Sequence, residues 1–444
     1  MNKQYVLKNK DVEVLKFELV EKTHLSNNIK AVSYGLNNIQ VIRQDLLPLS
    51  LDKEMRLEKS LEKWIKQRKI PKNRAFVEDI VNSLCLDESN FMSYVDITLA
   101  LSLNDTFWII PSDNNYQWQD YNLYTNSFNE TLALVAFTGY STTIKGLITS
   151  PELTTNGMLK KCWHRNKENN KIELLKGQTQ EYANGGKEAY AEFYMAQIAQ
   201  ALEFEHITYD LKQFHKQLVS SCEIFTDEQY GYLPIYYCLD REDLISDGFS
   251  LIEKIKTIYN PDKLDDLLLF DALICNTDRH LGNYGMLIDN DTNKLVKPAP
   301  IFDNGFSFFN IICYNQLNEM LQVFDLKNST SRSQLDFSFK QQASLFGQQR
   351  HIKNLSKLSN FTFKRHEKYN LPEEWLKSGE KFIQQRSLEI IKVIENKLEN
   401  KLDLSHNKND NTPLTNHSNT PRYPNNTPYN KYQKNSKSNG GMEM

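Results

Sequence analysis

None of the six cysteines forms a C-x-x-C pair, and each stands far from the next, which argues against a zinc ribbon or a disulfide framework. Several sit in apolar company, as in "YYCL" and "LICN", so buried free thiols in a reducing compartment are expected. No run approaches the roughly 20 apolar residues that a membrane span needs. The opening "MNKQYVLKNKDVEVLKFELV" is charged throughout and has no apolar stretch of signal-peptide length, so a soluble, cytoplasmic protein is expected. Net charge is only −3, which excludes a globally basic nucleic-acid binder and makes nucleic acid an unlikely partner. G-x-x-x-x-G-K-[ST] is also absent, so there is no Walker-type phosphate loop.

At 444 residues, of which 40% are hydrophobic, the chain can bury a sizeable core and is long enough for two domains or one large bilobal enzyme. Residues 1–50 alternate polar and apolar in short pieces such as "VEVLKFELV" and "IQVIRQ", the pattern of strands. "DKEMRLEKSLEKWIKQRKI" then places Leu57, Leu61, Trp64 and Ile65 at helical spacing, with Pro71 as the stop. "NRAFVEDIVNSLCL" repeats the pattern with Phe76, Ile80, Val81 and Leu84. Lys66, Arg68, Lys69, Lys72 and Arg74 gather at the turn between them. This could be a helix-turn-helix, but a solvated turn between packed helices is the expectation.

Between 130 and 180, "TLALVAFTGY", "GLITSPELTTNGMLKKCWHR" and "KIELLKG" predict a small antiparallel sheet. "KEAYAEFYMAQIAQAL" follows as a helix with an apolar stripe of Tyr190, Phe193, Tyr194 and Ile198. "ITYDL", "LVSSCEIF" and "YGYLPIY" predict further strands, and helical patterns dominate from about residue 240. The last is "PEEWLKSGEKFIQQRSLEIIKVIENKLENKL". After Leu402 the composition turns to Asn, Ser, Thr and Pro with almost nothing to bury, so 403–444 is expected to be a disordered tail. The "SLNDTFWI" segment is read as a possible extension of the β-rich small lobe.

A β-rich part followed by a helical part is the layout of a two-lobed nucleotide kinase, and each element that phosphoryl transfer needs has a candidate in chain order. Gly157 in "TTNGMLKK" lets backbone N–H groups approach an anion, and Lys160 or Lys161 adds positive charge. Lys176 ends the apolar strand "IELLKG". Glu192 lies on the side of the following helix's apolar stripe, where a carboxylate is costly to bury unless paired, and Lys176 is its natural partner. "SSCEIF", with Glu223 and Phe225, is where adenine is expected to meet backbone.

"CNTDRHLGNYGML" then brings Asp278, His280 and Asn283 together behind an apolar helix. A carboxylate for a substrate hydroxyl and an amide oxygen for Mg²⁺ suit a hard cation. His280 is counted with the catalytic loop, its ring reading as a hydrogen-bond partner of loop backbone or of an aspartate. Finally, "PIFDNG" puts Asp303 after a short apolar strand, where a second metal carboxylate belongs.

"NTDRHLGNYG" followed by "PAPIFDNGFSFF" resembles the HipA-like branch of the protein-kinase superfold, whose pattern is N-x-D-x-H-x-x-N and then a short "YD" or "FD" segment. The resemblance covers about residues 145–400. It implies Asp278 as catalytic base, Asn283 and Asp303 as Mg²⁺ ligands, Lys176 as the nucleotide lysine, and Gly157 with Lys161 in the covering loop. It also implies autophosphorylation three residues before the loop glycine, at Thr154. "DRHLGN" is similar as well to the catalytic loop of phosphoinositide kinases, but "IFDNG" after a Pro-rich lead fits the HipA-like side.

The expectation is therefore an α+β, bilobal protein-kinase-like fold with a β-rich small lobe, a helical large lobe, an N-terminal extension and a disordered C-terminal tail. Its divisions are 1–130, 131–237, 238–402 and 403–444. The expected activity is ATP- and Mg²⁺-dependent Ser/Thr protein phosphorylation, with a protein substrate, and a regulatory protein partner is left open. A phosphoinositide-type lipid kinase and a nucleotide-binding pseudokinase regulator are the alternatives. The N-terminal stretch shows no resemblance to the family's own N-terminal domain, so control by an antitoxin does not follow.

Overall fold

Alternation in the first fifty residues forms β1 (Lys3–Asn9), β2 (Val12–Ser26) and β3 (Ile29–Val41), antiparallel and in sequence. The structure is a computed structural model that describes residues 3–26, 29–86, 90–148, 150–179, 186–330 and 335–409. Helix α1 (Leu57–Gln67) lays Leu61, Trp64 and Ile65 on Tyr5, Leu7, Leu15 and Phe17 of the sheet. The "SLNDTFWI" segment runs into the N-terminal sheet. Its end forms β4 (Phe107–Pro111), which pairs with β1 and completes the order β3-β2-β1-β4. Because side chains alternate across a strand, Val6, Trp108 and Ile110 face the other way. There they pack with Leu101, Leu103 and Ile172, so this sheet is covered on both faces.

The turn at residues 66–74 is solvated only in part: Lys66 and Lys72 are exposed, while the other basic residues are engaged or buried. Arg68 makes a paired bond to Asp105 at 2.8 Å from each nitrogen, Lys66 meets Glu62 at 2.6 Å, and Lys69 lies over the Tyr94 ring. Arg74 is buried at 3% exposure. The second helix of the pair, α2, is shorter than its pattern, Val77–Ser83, because Phe76 adopts a left-handed φ of 61° and caps it.

The expected strand at "TLALVAFTGY" is instead helix α3 (Glu130–Thr138). A short continuous apolar run does not distinguish strand from helix. The deciding groups lie at its ends: Asn129 accepts from Leu132 N at 2.9 Å, and Gly139 ends the helix at a φ of 70°. Nor does a strand precede Gly157. A short 3-10 turn, Pro151–Leu153, leads into the loop, and β5 begins only at Lys161.

The sheet that carries the candidate nucleotide groups is β5 (Lys161–Arg165), β6 (Ile172–Gly177), β7 (Asp210–Phe214) and β8 (Gln217–Glu223), antiparallel in the order β5-β6-β8-β7. Helix α4 (Glu188–Ala201) follows β6 in the chain. "YGYLPIY" contributes β9 (Tyr230–Pro234), which pairs with β10 (Gly285–Asp289) rather than with that sheet; β11 (Lys294–Pro298) completes a three-stranded sheet.

The largest core is helical. Helix α5 (Pro261–Ile274) starts with Pro at its first position, where no N–H is needed, and Asn260 accepts from Lys263 N at 3.1 Å. Every residue from Leu264 to Ile274 is buried, so this helix is enclosed on all sides. Helix α6 runs Glu373–Asn409, past Leu402, because no helix breaker occurs before Pro413. The remainder of the expected tail, 410–444, lies outside the described residues. Contacts group the chain into Met1–Leu398 and Glu399–Met444. No helix among the described residues is long and apolar enough to cross a membrane. All six cysteines are free; Cys162 and Cys275 are buried, whereas Cys85 is exposed.

Candidate active site

Helix α5 stops at Cys275, whose left-handed φ of 55° turns the chain into the loop that carries Asp278, His280 and Asn283. The loop is organised by a residue that the sequence reading quoted without assigning a role. Arg279, 1% exposed, holds both oxygens of Asp271 from its Nε, at 3.2 and 3.0 Å. Its remaining nitrogens donate to Asn283 O at 3.1 Å, Phe302 O at 2.7 Å and Asn304 Oδ1 at 2.8 Å. One planar fork thus joins helix α5, the loop and the 302–304 segment. The available signal was a lone aspartate inside the apolar run "LLLFDALI".

Burial works against charge on both partners. It pulls the Arg279 guanidinium down, but Asp271 outweighs this and the net shift is upward; it raises the Asp271 carboxyl. Removing one member of such a pair leaves an uncompensated buried charge. Asp271→Ala is therefore expected to lower stability by about 3–5 kcal/mol in a urea-unfolding measurement. A loss below about 1 kcal/mol, the size expected of an exposed pair, would mean that the fork is not holding the loop.

Within the loop, Asn283 Nδ2 donates to Asp278 O at 2.7 Å, and Asn283 Oδ1 accepts from His280 N at 3.1 Å. The His280 ring nitrogen Nδ1 accepts from Gly282 N at 3.0 Å. These bonds fix the backbone so that the Asp278 carboxyl is left without a hydrogen-bond partner among the described residues. Burial raises that carboxyl above its usual range, with Asp303 adding to the effect. A carboxylate so placed is a better proton acceptor than one in water.

Lys176, Glu192 and Asp303 meet across the sheet, helix α4 and the 302–304 segment. Lys176 Nζ lies 2.7 Å from Glu192 Oε1 and 2.5 Å from Asp303 Oδ1. Glu192, at 1% exposure, also accepts from Asn304 N at 2.9 Å, while Tyr209 Oη accepts from Asp303 N at 3.2 Å. Burial alone would depress the Lys176 ammonium, but the two carboxylates outweigh it and raise it. For Asp303 the same balance falls on the side of Lys176, which holds its carboxyl well below the usual range; Glu192, the more enclosed, is raised by burial. Asp303 adopts a φ of 59°. An aspartate tolerates this left-handed region better than most residues.

Above these groups lies a cavity of about 240 Å³ lined by Gly157, Lys161, Lys176, Glu223, Phe225, His280, Asn283 and Asp303 among others. Gly157 has a φ of 98°, and a Cβ there would collide with Lys161 Nζ. That ammonium donates to Asn156 O at 2.7 Å, and burial followed by the Lys176 charge pushes it down to about 7. Phe225 meets Tyr232 edge-on and Phe302 at a tilt, with centroid distances of 5.4 and 5.3 Å, and the three rings form an apolar wall against which a flat base could lie. The Glu223 side chain pairs with Lys171 at 2.6 Å, half exposed. The structure thus gathers the predicted site residues: eight line the cavity, Glu192 joins through Lys176, and Asp278 lies on the adjoining loop.

Sequence reasoning missed Arg74 and Tyr209, which meet this site from distant parts of the chain; the Ser102–Asn104 segment, the start of the stretch read as extending the small lobe, lines the cavity. A larger cavity of about 690 Å³ lies beside Phe128, Trp163 and Phe214; its one carboxylate, Glu130, pairs with Lys167 at 3.4 Å.

No protein-family profile matches the chain, and no curated protein matches it. Among solved structures it is similar to a proinflammatory kinase, CtkA, of Helicobacter pylori, at 17% identity over 56% of this chain and 94% of that one, with a TM-score of 0.43. It is also similar to the toxin–antitoxin protein HipA of Shewanella oneidensis MR-1, determined with HipB and operator DNA. There identity is 12% over 88% of this chain and 97% of the other, with a TM-score of 0.48. The chemistry of the site rests on the residues themselves.

Proposed function

We propose that the protein is an ATP- and Mg²⁺-dependent phosphotransferase of HipA-like type that phosphorylates Ser or Thr hydroxyls of a protein, itself included. The observation that carries this reading is the convergence of Asp278, Asn283, Asp303, Lys176 and Glu192 from four separate elements around one cavity beneath the Gly157 loop. Nucleotide phosphates would meet Lys176, held extended by Glu192, and Lys161 under the loop. The base would lie against the Phe225, Tyr232 and Phe302 wall.

The donor set fits magnesium. Among the described residues no group of three His, Cys, Asp or Glu is placed to hold a metal. A single carboxylate oxygen of Asp303 and the amide oxygen of Asn283 are what a hard ion uses when phosphate oxygens complete its shell. When bound, the ion supplies charge stabilisation on the phosphoryl oxygens. Asp278 orients the attacking hydroxyl and accepts its proton as the new O–P bond forms and the bond to the leaving nucleoside diphosphate breaks.

Incubation with γ-labelled ATP and Mg²⁺, followed by mass spectrometry of the protein and of an added protein panel, tests this. Wild type is expected to transfer label, and Asp278→Ala to lose roughly 10²-fold or more of it. Nucleotide binding without transfer to any acceptor would replace this reading with that of a nucleotide-sensing regulator.

A further inference from the structure

The cavity has a third side that belongs neither to the β5–β8 sheet nor to the helical core. Ser102, Leu103 and Asn104, from the segment leading into β4, line it directly. The backbone of residues 101–104 is bonded to both edges of the site. Leu103 O accepts from Thr226 Oγ1 at 2.5 Å and Asn104 O from Tyr232 N at 2.7 Å, both beside the aromatic wall. On the loop side, Leu101 O accepts from Thr154 Oγ1 at 2.8 Å.

The helix pair near the N-terminus holds the same loop from outside. Ala75 N donates to Met158 O at 3.0 Å. Arg74 reaches under it, donating to Lys161 O at 2.5 Å and, more weakly, to Gly157 O at 3.5 Å. Lys161 is the first residue of edge strand β5, and the next outward N–H of that strand, on Trp163, donates to the buried Glu152 at 3.0 Å. Arg74 and Glu152 therefore seal an edge that would otherwise end in unmet backbone groups. Burial pushes the Arg74 guanidinium down to about 10, which still leaves it charged beside Lys161.

A loop free to move loses conformational entropy when a ligand orders it, and a loop already tied down does not. We propose that residues 74–75 and 101–104 hold the 154–161 loop closed before nucleotide arrives, and that Arg74 is the positioning residue that sets nucleotide affinity. This rests on the kinase reading for what the loop covers, but the restraint itself is a property of the free protein.

The test uses the full chain and two readouts, amide hydrogen exchange without ligand and calorimetry with Mg-ATP. Arg74→Met keeps most of the buried stem and removes the fork. It is expected to speed exchange across 154–161 roughly tenfold or more, leave 3–9 and 107–111 unchanged, and weaken Mg-ATP binding roughly tenfold. Arg74→Lys, which keeps charge without the paired geometry, is expected to fall between Arg74→Met and wild type. Unchanged exchange in the loop overturns the proposal. If Arg74→Met loosens the β1–β4 sheet as well, Thr154→Val decides: faster exchange confined to the loop supports the restraint, and no change overturns it. If wild type binds no nucleotide, the kinase reading fails while loop exchange still judges the restraint.

Discussion

If the proposed kinase reading holds, Asp303→Asn is expected to reduce phosphate transfer by roughly 10³-fold or more, because it removes the carboxylate that reading assigns to the metal. Stability should change little, within about 1 kcal/mol. Lys176 keeps Glu192 as a partner at 2.7 Å, and asparagine shares aspartate's tolerance of the 59° φ. Asp303→Ala carries an additional cost of roughly 1–2 kcal/mol, since alanine has no side chain to ease the left-handed backbone. Label transfer and urea unfolding on the two variants separate metal binding from strain. A variant Asp303→Asn with a tenth of wild-type transfer would remove Asp303 from the metal site. The pairing also has a pH signature. A carboxyl depressed in the folded protein contributes stability above its unfolded value, and that contribution is lost as pH falls toward its folded value.

Lys176→Met is expected to remove both activity and stability. It leaves Glu192, 1% exposed, and Asp303 facing one another with no cation between them. Breaking a buried pair in this way costs about 3–5 kcal/mol. The loss should be smallest at mildly acid pH. The Glu192 carboxyl is already raised by burial, so it takes up a proton first and relieves the repulsion; its penalty returns as pH rises through its folded value. Adding Glu192→Gln should restore a large part of the stability while transfer stays lost, a cycle that separates the structural from the chemical role of the lysine. Equal stability of Lys176→Met and wild type across pH would show that the triad is not held together as described.

The parts of this site that could be read from the sequence are those whose logic is local. Asp278, His280 and Asn283 share one short loop, and Asp303 follows within the same stretch. Lys176 and Glu192 lie on consecutive elements, where a buried strand-end lysine and a glutamate on an apolar helix stripe call for each other. What escaped is held together across long separations. β4 pairs with β1 across nearly a hundred residues, and nothing within "DTFWI" names that partner. Arg74 reads as one more member of a basic cluster until the fold places it against the 154–161 loop. Helix α3 was lost for another reason: its continuous apolar run fits either strand or helix, and the deciding groups, Asn129 and Gly139, lie outside it.

The Ser102–Asn104 segment changes how a smaller version of this protein would have to be made. A fragment starting at residue 131 keeps every residue assigned to the chemistry, yet it deletes one flank of the cavity and strips the cover from Ile172, Trp163 and Ile224. A fragment meant to keep the candidate site intact therefore has to retain the 101–104 segment and the sheet it leads into, and truncation at residue 131 is expected to expose an apolar face.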